Sequence, residues 1–270
     1  MATDESYQGM YYAYGDNKRE AFDLYDALYS RSNEREMFIS TLDKIPSQYN
    51  LDSAKSCLAL GPNDGYREVG FVEKCTANAT KFIAIEEGRE ASERLKVHLR
   101  KRLPDVDGLV IEGDFRSWKG PSDPVDLVLA FHCLYPQYFK DGDDRRSLLR
   151  KVHDRWLIAG GFMAVLVEGG WCSNSHGRVA DLYDRLGCPT TPWKGTEDDI
   201  LDVGFIKKYE YEFQYTRDYS NPDEAFLRFY ESRAGYTCTL DDIRRAMKEL
   251  YEDGKTYEGA HTFVLFQKAL

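Results

Sequence analysis

Three short apolar runs in this chain each end on residue types that can hold a nucleoside. Cys57-Leu58-Ala59-Leu60 gives way to Gly61-Pro62-Asn63-Asp64-Gly65, Phe82-Ile83-Ala84-Ile85 to Glu86-Glu87, and Leu109-Val110-Ile111 to Glu112-Gly113-Asp114-Phe115. A carboxylate at the second of these ends can accept from both hydroxyls of a ribose. At the third, Asp114 can accept from an adenine amino group while Phe115 covers the ring. The loop after the first run is not the dinucleotide fingerprint GxGxxG, because Glu68 and not Gly lies beyond Gly65. It fits GxGxG with Asn63 in the middle place, and Asn is the non-glycine residue that best tolerates a left-handed backbone. Each part has a plainer reading: a strand-to-helix turn for the loop, a solvated charge for Glu86, a turn or helix cap for Asp114. Their occurrence in order at three successive ends points to S-adenosylmethionine. Between Glu86 and Glu87, the first directly follows the apolar run and is the expected ribose ligand.

A fourth run, Leu127–Phe131, ends at His132, with Tyr135 on the same turn. An imidazole there can take a proton near neutral pH or select a substrate by hydrogen bonding; a satisfied core histidine is the alternative. His98, His153 and His176 have no carboxylate or cysteine at ligand spacing, read as surface or cap residues, and no metal is expected. The six cysteines contain no CxxC pair and read as reduced, mostly packed thiols of a cytoplasmic protein.

The elements that must position these residues follow from the apolar pattern. The four runs and a fifth, Phe162 to Val167, are short, aliphatic and bounded by turn residues, as buried parallel strands are. Amphipathic stretches at Glu90 to Arg102 (Ala91, Leu95, Val97, Leu99) and Arg145 to Trp156 lie between them, which predicts a doubly wound α/β sheet. Two later strands, Tyr209 to Tyr215 and Thr262 to Phe266, would close it, separated by helices near Asp223 to Tyr230 and Leu240 to Tyr251. Two front helices, Arg19 to Leu28 and Asn33 to Ile45, the second with Ser32 as N-cap, are not needed for a sheet and would cover a site. The expected division is a cap over 1–50, a cofactor-binding core over 51–187 and a substrate-side insertion with closing strands over 188–270.

Composition narrows the partners. The 270 residues carry 36 basic and 46 acidic side chains, a net charge of −10, which repels phosphate backbones and argues against nucleic acid. The longest apolar run falls far short of the ~18 residues that span a bilayer, and the N-terminus shows no signal peptide, so no membrane partner is expected. With 19 Tyr, 14 Phe and 4 Trp, a pocket lined by rings is expected, in a monomer.

Over its whole length the chain resembles the histamine N-methyltransferase group of small-molecule methyltransferases, which have a Rossmann-like class I fold. The matching pieces are Leu58-Ala59-Leu60-Gly61, Ile85-Glu86, the run from Asp126 through Tyr135, Ser32-Asn33-Glu34 and Thr262-Phe263-Val264-Leu265. The resemblance implies that Gly61, Glu86, Asp114 and Phe131 contact the cofactor and that Glu34 is the acidic anchor of a basic substrate. It places Tyr135 and Tyr183 around that substrate; Tyr25, Trp171, which is shifted from the family's place, and His261 are expected there too, and His132 and Glu34 are the expected catalytic residues. The chain departs from the family at His132, where the family has an amide, at Pro136, which replaces a ring, and at Gly259, which replaces a substrate-contacting amide. The expected activity is S-adenosylmethionine-dependent methylation of a small aromatic or imidazole-type amine, giving S-adenosylhomocysteine. Alternatives are O-methylation of a phenol or carboxylic acid, for which His132 would be a required base, and a binding module without turnover.

Overall fold

The computed structural model describes residues 25–135, 138–168, 182, 185–187, 193–233, 237–251 and 257–270. Packing divides the chain into two compact units. The first is Met1–Met37, Glu168–Trp193 and Glu212–His261; the second is Phe38–Val167, Lys194–Tyr211 and Thr262–Leu270.

The chain forms a seven-stranded mixed sheet: β1 (Ser56–Leu60), β2 (Lys81–Glu86), β3 (Asp107–Glu112), β4 (Val125–Phe131), β5 (Leu157–Glu168), β6 (Phe205–Arg217) and β7 (Tyr257–Lys268), with β1 to β4 wholly in the second unit. The order is β3-β2-β1-β4-β5-β7-β6, and β1 to β5 pair in parallel. Leu127 to Phe131 are all at most 3% exposed, as a central strand covered on both faces must be. β3 is different. It is an edge strand, and Leu109, expected in the core, is 50% exposed because only one side of it has a strand neighbour.

Helices α1 (Glu34–Thr41), α2 (Tyr66–Cys75), α3 (Arg89–Arg102) and α4 (Gly142–Lys151) lie where the sequence pattern puts helices, and α5 (Trp193–Val203) is one the pattern did not announce. On α3, Ala91, Leu95 and Leu99 are buried at a spacing of one helical turn. Val97 falls off that face and is exposed. Asp141 caps α4 by accepting from Asp144 N, and a π-helical turn, Val152–Trp156, carries the chain into β5. α1 begins one residue later than Ser32 as a cap requires: Asn33 holds the cap place, while the Ser32 hydroxyl accepts from Glu34 N at 3.2 Å. It ends at Thr41 and runs on as a short 3-10 turn, since Pro46 drives Ile45 to extended backbone (ψ 122°).

The first unit has its own apolar core. Helices α6 (Glu224–Arg233) and α7 (Leu240–Leu250) enclose Phe226, Leu227, Tyr230, Ile243 and Met247 with Leu28, Leu182 and Leu186. Thr239 and Asp242 form a capping box at the start of α7. The Arg31 guanidinium donates to the carbonyls of Ser220 and Asn221 at 2.8 and 2.9 Å, tying the segment before α1 to the one after β6.

Candidate functional site

The strand order of the second unit reverses between β1 and β4, so the crevice at their carboxyl ends is where a doubly wound sheet takes a ligand. The β1 loop is built for close approach. Gly61, Asn63 and Gly65 have φ of +54°, +55° and +73°. A Cβ on Gly65 would lie 2.1 Å from Leu95 Cδ1, and one on Gly61 would lie 3.1 Å from the Phe115 ring, so both places require glycine. Glu86 clamps this loop from the end of β2: its Oε2 accepts from Asn63 N and its Oε1 from Gly88 N, each at 2.8 Å. Burial pushes the Glu86 carboxyl above its ordinary range near 4.5, while the Gly88 and Asn63 amides pull it back. Glu87 is exposed, which separates the two acids.

The Phe115 ring lies against Gly61 of this loop. Asp114 accepts from Arg116 N and Nε through one oxygen, Oδ1, at 2.9 and 2.7 Å. The Asn63 side-chain oxygen is buried with no hydrogen-bond partner, an acceptor awaiting a donor. The Phe131 ring packs edge-on against Phe38 and Phe71 at 5.2 and 5.8 Å.

His132 takes the left-handed conformation at the end of β4 (φ +57°), which is strained for a non-glycine residue. Its amide donates to Leu166 O at 2.8 Å, and its Nδ1 lies 2.7 Å from Tyr135 Oη, so the two residues form one unit. The neighbouring Cys133 is no nucleophile, because burial pushes its thiol far up. His98 and His153 are half-buried: His98 Nδ1 lies 2.8 Å from Asp64 O, and His153 pairs with Asp154 at 2.7 Å while packing edge-on against Phe205.

The first unit gathers residues from far apart in sequence. Glu34 Oε1 lies 3.3 Å from His261 Nε2, and Glu34 Oε2 accepts from Arg217 Nη2 at 3.0 Å. All three side chains are at most 4% exposed. Arg217 Nη1 donates to Tyr230 Oη, which pairs with Tyr219 Oη at 2.9 Å. The His261 ring stacks on Tyr215 at 4.7 Å. Burial pushes the Tyr219 hydroxyl up, so this phenol stays neutral. Glu34 is therefore not the open acid that the sequence suggested: the chain supplies its own cation. Arg217 was missed because it closes a strand of alternating charges, β6, where one more arginine carries no signal. Gly259 has a structural reason, since a Cβ there would sit 2.3 Å from Tyr215 Cζ. Tyr25 packs edge-on against Phe229 at 5.5 Å, on the apolar core of this unit and not on the cluster. Trp171 and Tyr183 lie outside the described residues.

A parallel β1–β5 block, its order reversing at β1, followed by a β7-β6 closure, is the Rossmann-like fold of class I S-adenosylmethionine-dependent methyltransferases. Solved structures share it. A candidate methyltransferase from Bacillus halodurans C-125 is 11% identical with a TM-score of 0.58, over 86% of this chain and 100% of that one. A candidate sarcosine dimethylglycine methyltransferase from Galdieria sulphuraria is 14% identical with a TM-score of 0.53, over 86% and 85%. A 4+2 cyclase is 16% identical with a TM-score of 0.52, over 86% and 82%. No family model matches the sequence, and no curated protein matches it. The likeness reaches the fold and not the histamine N-methyltransferase group.

Proposed function

We propose that this chain is an S-adenosylmethionine-dependent N-methyltransferase acting on a small aromatic or imidazole-type amine. The fold alone does not give the chemistry, as its use by a cyclase illustrates. The observation that carries the reading is Glu86, a carboxylate held by two backbone amides at the end of β2 against a loop with three left-handed residues. The residues fit the cofactor. Glu86 would take the ribose hydroxyls, Gly61 and Phe115 would flank the nucleoside, Asp114 would meet the adenine amine, and Asn63 Oδ1 would gain the donor it lacks.

When bound, S-adenosylmethionine supplies an electrophilic methyl group on a sulfonium. The chain's part is to bring a neutral nitrogen lone pair into line and to exclude water. Nitrogen rather than oxygen as the acceptor is supported by the pairing of Glu34 with His261, an acid and an imidazole that can accept from a nitrogen donor. Tyr135 fixes the His132 ring, which then shapes the acceptor's approach and can take the proton an amine sheds. The substrate role of Trp171 and Tyr183 stays part of this reading, as do a monomeric, cytoplasmic protein and the absence of a metal from the mechanism.

The test is calorimetric titration with S-adenosylmethionine and S-adenosylhomocysteine, followed by methyl transfer to a panel of amines, imidazoles and phenols with the methylated atom identified by mass spectrometry. Binding of the cofactor and N-methyl products are expected. Failure of both cofactor forms to bind refutes catalysis; O-methyl products alone refute the nitrogen acceptor.

A further inference from the structure

The buried cluster of the first unit constrains which amine it can receive. Glu34 and Arg217 carry opposite charges, both nearly excluded from water, and burial keeps the Tyr219 phenol in the same cluster neutral. A substrate bearing only a positive charge would leave that charge uncompensated, because the Glu34 carboxylate is already balanced by Arg217. Burying an uncompensated charge is heavily unfavourable. A substrate that brings its own negative charge keeps the sum at zero.

The hydrogen bonds of Arg217 point the same way. A guanidinium presents donors in a rigid fork that matches a carboxylate. Nη2 is used on Glu34 and Nη1 on Tyr230, whereas Nε is buried with no partner. The orphan belongs to a side chain that is 3% exposed. The guanidinium is also held in place: its carbon lies 5.1 Å from the centre of the Tyr215 ring, which in turn stacks on His261. Such a fixed donor costs little further ordering when an acceptor arrives.

We propose that this cluster binds a zwitterionic amine of the amino-acid type, its carboxylate received by Arg217 through Nε and its nitrogen end by Glu34 and His261. This rests on the reading of Glu34 as a substrate residue and narrows the substrate from a bare amine to one carrying a carboxylate. Arg217 is then the residue that sets specificity.

The experiment uses pairs that differ by one carboxylate, histidine against histamine and tyrosine against tyramine, titrated calorimetrically into the full chain with S-adenosylhomocysteine present and absent. The carboxylated member of at least one pair is expected to bind about thirtyfold or more tightly, the scale on which a buried charged hydrogen bond discriminates. Arg217→Lys should keep part of the preference, having the charge without the fork. Arg217→Gln strands Glu34 and can fail to fold, so the double variant Glu34→Gln with Arg217→Gln, which removes both charges, provides the second measurement; it should show no preference. Equal or tighter binding of the decarboxylated member, no binding by either member of both pairs, or a preference that survives the double variant overturns the proposal. Because amine binding is read directly, these outcomes stand apart from the methyltransferase reading, which fails instead if S-adenosylmethionine and S-adenosylhomocysteine do not bind.

Discussion

Replacing Glu86 by Ala removes a carboxylate that accepts two amide bonds at 2.8 Å and, on the proposed function, two more from the ribose of the cofactor. An ionised carboxylate has about four acceptor sites, so both pairs fit at once. Hydrogen bonds to a charged group contribute about 1.5–3 kcal/mol each before the desolvation of an already half-buried acid is subtracted. A loss of about 2–4 kcal/mol in cofactor affinity is therefore expected, roughly 30- to 1,000-fold at 1.4 kcal/mol per decade. Calorimetry with S-adenosylhomocysteine from pH 5 to 8 reads it, with Glu87→Ala as the exposed control, expected within about twofold of wild type. The pH dependence has a definite sign. The ionised form accepts the hydroxyls, and burial raises the Glu86 pKa, so affinity is full above the raised value and falls as pH drops through it. Glu86→Gln should bind weakly with that limb absent. In the cofactor-free chain the sign reverses. A raised pKa in the folded state favours folding at low pH, so wild type should lose stability relative to Glu86→Gln as pH rises through the folded value. A folded Glu86→Ala within threefold of wild-type affinity would falsify the ribose assignment.

Other perturbations test the remaining pieces. Glu34→Gln leaves the Arg217 cation buried without its partner and should cost about 3–5 kcal/mol of stability in chemical unfolding; a loss below about 1 kcal/mol would mean the pair is solvated. Gly65→Ala places a methyl 2.1 Å from Leu95 Cδ1 at a φ of +73° and should destabilise by at least about 2 kcal/mol. Adding Leu95→Ala should recover the steric part alone, and full recovery would show that the backbone is not strained there. His132→Gly relieves a left-handed backbone and should hold thermal stability within about 1 kcal/mol of wild type while losing substrate turnover; retained turnover would make His132 structural. His132→Gln should change the ranking of amines and leave the pH profile of kcat/KM unaltered. If the mutant instead loses the limb seen in wild type with the same amine, His132 is a proton acceptor.

The sheet was legible because its central strands are buried on both faces. Leu127 to Phe131 and Cys57 to Leu60 read as apolar runs for that physical reason, and the functional loops follow as what lies beyond their ends. Where burial is one-sided the signal weakens. β6 alternates charges and rings from Phe205 onward, so only its second half showed as a strand, and β5 begins at Leu157, its start obscured by Gly160 and Gly161. The site divided along the same line. Glu86 and the β1 loop are contiguous with their strands and could be placed from spacing. The Glu34–Arg217–His261 cluster joins positions up to 227 residues apart (261 − 34), and no local pattern announces such a meeting.

β7 is the last of this sheet's strands to leave the ribosome, yet it lies between β5 and β6. During synthesis β1 to β5 can therefore assemble as a parallel block while β6 has no neighbour to pair with, and the edge of β5 stands open until Tyr257–Lys268 emerges. The closing strand must slide into a gap already bounded on one side, a pairing between distant segments that is intrinsically slow. A growing chain stalled before residue 257 would thus present two long unpaired strand edges, and a β7 from a neighbouring molecule could fill the gap as well as its own. Refolding at rising protein concentration should accordingly divert part of the chain into swapped dimers through β7, while the block from β1 to β5 forms at the same rate.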